Sequence, residues 1–323
     1  MRQFSNVLLV VPEDPAQAGV NRALSLMPDE GGTLTLVSII ETMVSGSSSG
    51  RFHDELSEAF DALRAKRLSA LKTLANSLPE EINTVCEVMD GLAYLKVIER
   101  VQLYNHDLVV IHAHQEDGPL KRLFISEEMQ LLRKCPAPVL ITKKADNPFT
   151  RVFASVDFDH NDTEDSKAIK RNLNADIIDT ASSIADHDGA KLDIVNVFTL
   201  PGEAAMVAGW IPMTPENLSD YATSCQAAAN EQLRAAFKAS EERTELPIFQ
   251  SEDAQTLLIQ GRARVEIPEA VEQLGADLIV MGTVGRVGVP GFLIGNTAET
   301  ILRTIDCSVL ALKPEGFTSP VTV

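Results

Sequence analysis

The sequence predicts an α/β protein of two tandem Rossmann-like, doubly wound units, each with a five-stranded parallel sheet, arranged as a pseudo-dimer. Three observations predict it. Apolar strands bounded by turn residues alternate with segments of helical periodicity, the pattern of parallel sheets covered on both faces. The 323 residues are about twice the length of an average domain. The chain also matches itself. Asp107-Leu-Val-Val-Ile111 aligns with Asp277-Leu-Ile-Val-Met281, and Gly91 with Gly261, both at an offset of 170, while Cys135 to Ile141 aligns with Cys307 to Leu312 at 172.

Taken in order, each half opens on a short apolar strand, Val7 to Val11 and Val152 to Val156. A second strand follows at Leu34 to Ile40 and at Leu192 to Phe198, and a third at Val85 to Met89 and at Leu257 to Gln260. Between them, Leu56, Phe60, Leu63, Leu71, Leu74 and Leu78 mark a long amphipathic helix in the first half. Ile169, Leu173, Ile177, Ala181 and Ile184 mark one in the second, with Gly189 as its stop. The polar, proline-broken run Lys143 to Thr150 is the join, giving domains 1–146 and 151–323. Met43 to Arg51 and Leu200 to Asn217 are read as irregular stretches arching over the strand ends.

The chemistry concentrates in Asp277 to Thr297. Leu278 to Met281 reads as a buried strand, Gly282 and Gly285 bracket a tight loop, and Gly295-Asn296-Thr297 open a helix with Ala298, Ile301, Leu302 and Ile305 on one face. Glycines let backbone N–H groups close on an anion, and a helix start adds unpaired N–H groups and the positive end of the dipole. Ligands of open α/β sheets lie beyond the carboxyl ends of the strands, which gathers Asp157, Val197, Gly261 and the glycine loop at one crevice. Asp157 would accept from a ribose or adenine edge, Val197 would pair its backbone with adenine, and Gly261 would leave room for the sugar. Gly282, Gly285, Gly295, Asn296 and Thr297 would hold phosphates, with Arg286 within reach of them. The first half lacks these parts: Pro12 stands for Asp157, His112 for Gly282 and Gln115 for Gly285. Its ligand, if it has one, is of another kind.

Other function classes are poorly served. Lys and Arg total 28 against 46 Asp and Glu, a formal charge of −18, which disfavours nucleic acid and anionic membranes. No run approaches a membrane span or a signal peptide, so a cytoplasmic location is expected. Cys86, Cys135, Cys225 and Cys307 show no metal spacing and read as buried free thiols. His112 and His114 lack a third metal ligand, and Ser155 lacks a triad, so no metal site or catalytic residue is assigned. Slow hydrolysis of a bound nucleotide, with Asp157 as the candidate base, is the most that enzyme chemistry has in its favour.

The spacing Gly282, Gly285, Gly295, Asn296 is similar to the signature of the universal stress protein family, with Asn296 in place of the usual Ser or Thr. The stretches Gly282 to Arg286, Leu131 to Pro136 and Leu312 to Glu315 resemble the tandem, E-type branch of that family. The resemblance implies a cytoplasmic stress-response protein that binds ATP in its C-terminal domain, with Mg²⁺ bridging the phosphates. It also implies halves that pack as single-domain members do in a dimer, with Val139 to Thr142 near Val309 to Leu312, and leaves a homodimer and a protein partner open. The rival expectation is a scaffold independent of nucleotide, taking an apolar ligand or a protein through the N-terminal domain or the cleft between domains.

Overall fold

Apolar residues in strand-length runs build the frame. A computed structural model describes residues 4–14, 19–41, 51–113, 126–143, 148–158, 164–283 and 295–322. Two units result, one of residues 3–147 with 308–311 and 317–323, the other of 148–307 with 312–316.

In the first unit the strands β1 (Asn6–Val10), β2 (Thr33–Ile40), β3 (Asn83–Asp90), β4 (Leu108–His112) and β5 (Val139–Thr142) lie in the order β3-β2-β1-β4-β5, parallel throughout. The helix α1 (Val20–Ser25) packs on β1, α2 (Arg51–Ala75) on β2 and β3, and α3 (Ala93–Tyr104) on β2 and on α4 (Ser126–Lys134). The sheet core is Leu8, Leu9, Leu34, Leu36, Val109 and Leu140, all withdrawn from water. Residues 308–311, most of β10 (Ser308–Leu312), belong to this unit as well, where β10 pairs antiparallel with β5 through Val309↔Ile141 and Ala311↔Val139.

In the second unit β6 (Arg151–Val156), β7 (Lys191–Phe198), β8 (Ala254–Gln260) and β9 (Leu278–Gly282) lie parallel in the order β9-β6-β7-β8. The first connection contains α5 (Glu164–Asp188), whose Leu173, Ile177, Ala181 and Ile184 are buried, as their spacing predicts. It packs on β6 and β9, beside α7 (Pro215–Thr244), which covers β7 and β8. The helix α8 (Ala263–Leu274) packs on β7 and on α9 (Asn296–Thr304). Leu200 to Asn217 departs from expectation, since it holds α6 (Glu203–Val207) and the start of α7. Thr214 caps α7 by accepting from Asn217 N–H at 3.2 Å, with Pro215 in its first turn.

The repeat has a physical core. Asp107 accepts from Ser5 N–H (2.8 Å), Ser5 Oγ (3.2 Å) and Asn6 N–H (3.0 Å). At the same place in the second unit, Asp277 accepts from Thr150 N–H (2.9 Å), Thr150 Oγ1 (2.9 Å) and Arg151 N–H (3.0 Å). Each aspartate, one residue ahead of its strand, ties down the chain entering the neighbouring strand. Of the four cysteines, all free, Cys135 and Cys307 are buried, whereas Cys86 and Cys225 sit on helix or strand faces that are only partly covered, so the expected burial holds for two.

Candidate functional site

The strand order of the second unit reverses at β6, flanked by β7 on one side and β9 on the other, and the crevice beyond such a reversal is the natural ligand position. Register places the expected residues along that edge. Ser155 pairs with Met281 and Val156 with Asn196, so Asp157 and Gly282 end neighbouring strands; Val197 pairs with Ile259, and Gly261 follows β8.

Asp157 is held by its backbone. Its N–H donates to Asn174 Oδ1 (3.2 Å) and its carbonyl accepts from Asn174 Nδ2 (2.8 Å), leaving a carboxylate that is 72% exposed with Lys170 Nζ at 3.5 Å. Gly261 donates its N–H to Phe198 O at 2.9 Å with φ at 152°, a backbone that favours glycine. A Cβ there would also press on the carboxylate end of the Glu266 side chain. At Gly282 a Cβ would come within 2.8 Å of Leu173 Cδ2, so a larger residue there would have to displace the tip of the buried Leu173 side chain, independently of any phosphate. Gly285 and Arg286 lie outside the described residues.

The helix start is fastened to the strand end. Gly295 N–H donates to Thr283 O at 3.0 Å, and Gly295 caps α9 with extended backbone and no side-chain cap bond. The first-turn N–H groups of any helix have no intrahelical acceptor. Asn296 and Thr297, both exposed, place their side chains at this turn. Thr283, fully buried, escaped the sequence reading. Its N–H donates to Leu312 O (3.4 Å) and its Oγ1 accepts from Lys313 Nζ, so a single residue joins the end of β9 both to Gly295 and to the end of β10. A polar residue directly after an apolar strand was the only signal for it.

A cavity of about 510 Å³ opens at Asp157 and runs between α5 and α7, past Lys167, Lys170, Arg171 and Arg243. Val197, Gly261 and Gly282 do not line it. The start of α9 and the Gly261 and Gly282 backbone are at the strand edge, not in this cavity. Arg243 is engaged by Asp179 at 2.8 Å.

The first unit repeats the frame with different chemistry. Gly91 N–H donates to Ile40 O at 3.0 Å, matching Gly261 on Phe198, and Ala113 N–H donates to Thr142 O at 2.8 Å, matching Thr283 on Leu312. His112, in the place of Gly282, shares a hydrogen bond with Thr142 Oγ1 at 3.2 Å. His114 and Gln115 lie outside the described residues. Among the described residues no group of three or more His, Cys, Asp or Glu is placed to hold a metal ion, and no helix is long and apolar enough to cross a membrane.

A family model described as the universal stress protein family matches residues 3–143 and again 168–313. The chain belongs to the universal stress protein family. Two successive matches make it a tandem member, as the repeat offset requires. It is 25% identical over 329 residues to universal stress protein E of Photorhabdus laumondii, covering 99% of this chain and 98% of that one. It is 26% identical over 337 residues to universal stress protein E of Salmonella typhi, with 99% and 98% covered. A solved putative universal stress protein from Pseudomonas aeruginosa UCBPP-PA14 matches with a TM-score of 0.63 at 25% identity, over 97% of this chain and 95% of that one. One from Archaeoglobus fulgidus, at 16% identity and a TM-score of 0.57 over 96% and 97%, is alike in fold. The two-unit α/β architecture is thus that of the family.

Proposed function

We propose that this universal stress protein binds ATP, or a related adenine nucleotide, along the carboxyl ends of β9, β6, β7 and β8. The observation that carries the reading is the start of α9, tied through Gly295 N–H to Thr283 at the end of β9, one strand away from Asp157. Phosphates would take the first-turn N–H groups and the side chains of Asn296 and Thr297, with Gly285 and Arg286 assigned to the same end by spacing alone. The exposed Asp157 carboxylate would accept from ribose or adenine, beside the backbone of Val197, and Gly261 would admit the sugar. Mg²⁺ would ride on the phosphates, which suits a cation usually held through substrate oxygens and water. Binding, rather than turnover, is the proposed activity, in a cytoplasmic setting. The domain bounds 1–146 and 151–323 go with it, one degenerate and one nucleotide-binding.

Calorimetric titration of the nucleotide-stripped chain with ATP and adenosine tests this. Saturable binding of one equivalent of ATP, weakened in Asp157→Ala for both ligands, is the expected result. An absence of saturable binding by the wild-type chain overturns it.

A further inference from the structure

The first unit carries a cavity lined by acids at the ends of its own strands. A cavity of about 720 Å³ opens at the ends of β1, β2 and β4 and is bounded by α2, α3 and α4. That volume is within the range of small-molecule sites, about 300–1,000 Å³. Ile39, Ile40, Phe60, Leu63 and Tyr94 supply apolar walls. Carboxylates line it at Glu13, Glu41, Glu127 and Glu128, against the guanidinium of Arg67, which is itself paired with Glu13. Among the described residues neither Glu41 nor Glu127 has an ion-pair partner.

The place of Glu127 is informative. At the 170-residue offset it stands where Thr297 stands, in the first turn of the equivalent helix, α4 instead of α9. A fixed carboxylate thus occupies the position proposed for phosphate in the other unit, and His112 fills the place of Gly282. A helix start by itself favours an ionised carboxylate. Here burial, and after it the charge of Glu41, push the Glu127 carboxyl up instead. A carboxyl whose ionisation is opposed by burial and by a neighbouring acid, at the rim of an apolar cavity, is stabilised in its charged form by a cation. With no metal-holding group of acids and histidines among the described residues, and with mostly apolar walls, the matching cation is organic.

We propose that the first unit binds a small amphipathic organic cation, its apolar or aromatic body in the cavity and its protonated amine at Glu41 and Glu127. The nucleotide reading of the second unit neither supports nor requires this. The probes are 4-phenylbutylamine, 4-phenylbutyrate and 4-phenylbutanol, equal in body and different in charge, titrated by calorimetry into the full chain at neutral pH and low salt. The amine is expected to bind saturably at one equivalent and at least tenfold more tightly than the carboxylate. Glu41→Gln with Glu127→Gln should weaken the amine at least fivefold, towards the alcohol, while ATP titration of the same sample is unchanged. Equal affinity for amine and carboxylate, or unaltered amine binding in the double variant, overturns the proposal, as does an absence of saturable amine binding. Should the double variant not fold, the three-probe comparison on the wild-type chain decides alone.

Discussion

Placing the first unit's residue in the second gives a sharp test of the proposed nucleotide site. Thr297→Glu copies Glu127 into the first turn of α9, where Thr297 is exposed. Folding should not suffer. A carboxylate in the first turn of a helix contributes about 0.3–1 kcal/mol of stability, and Glu is a better helix former than Thr. The nucleotide is affected in the opposite sense. Two unit charges about 5 Å apart repel by about 0.8 kcal/mol in water and about 3 kcal/mol at an effective dielectric near 20. An exposed position belongs towards the lower value, so a loss of about 1–2 kcal/mol is expected, or about 5- to 30-fold in the Kd for ATP. Adenosine, which has no phosphate, should bind both forms alike. Calorimetry with both ligands, alongside thermal unfolding, reads the two effects separately. An ATP Kd within about twofold of wild type, in a variant whose Tm is maintained, would remove the start of α9 from the site and the reasoning with it.

Other substitutions test the frame. Asp107→Ala and Asp277→Ala each delete an acceptor of two backbone N–H groups and a hydroxyl, and each should cost about 1.5–3 kcal/mol in urea unfolding, a near-equality expected of matched structural roles. Gly282→Ala should cost about 1–3 kcal/mol by overpacking against Leu173, and Leu173→Val in the same chain should recover part of it. Asp193 is fully buried and accepts from Arg151 Nε at 2.6 Å and Gln255 Nε2 at 2.6 Å, so Asp193→Ala should cost about 3–5 kcal/mol by stranding the guanidinium. His106 is buried, and burial first, then the charge of Arg100, hold its pKa below 6.5. Between that lowered value and 6.5 the unfolded chain binds more protons than the folded one, so stability rises with pH through this window and levels off above it. His106→Leu should flatten that part of the profile, measured as urea midpoints from pH 5 upward relative to wild type.

Much of the fold was legible because burial imposes periodicity. The runs forming β4 and β9 are buried nearly throughout, and α5 and α9 present their predicted apolar faces inward. Where burial is weak, legibility fails. Helix α7 runs for 30 residues, yet only Ala229, Leu233 and Ser240 are buried, too few for a stripe, so its start inside Leu200 to Asn217 was readable only from Thr214-Pro215. In α2, Leu56 fits the helical spacing but is 51% exposed, and Leu78 lies past the helix end at Ala75. At the site, order along the chain was enough to align Asp157, Val197, Gly261 and Gly282, because parallel register converts the ends of strands into one edge. Packing was not legible: the contact between Gly282 and Leu173 and the bond between Lys313 and Thr283 join residues far apart in sequence whose types announce neither.

The two units agree where the backbone needs support and differ where a ligand would sit. Asp107 and Asp277 clamp the incoming strand, Gly91 and Gly261 donate to the last carbonyl of the neighbouring strand, and Ala113 and Thr283 hold the last strand of each repeat. Pro12 for Asp157, His112 for Gly282 and Glu127 for Thr297 all fall on the crevice side. Simple loss of a nucleotide site would leave an arrangement with nothing to offset its costs. An acid whose ionisation is opposed by burial and by a neighbouring acid lowers stability at neutral pH, and an apolar cavity of this size forgoes packing that larger side chains would supply. A ligand that is both cationic and apolar offsets both costs at once, one by charge and the other by volume, whereas a phosphate would aggravate the first and a plain hydrocarbon would leave it untouched.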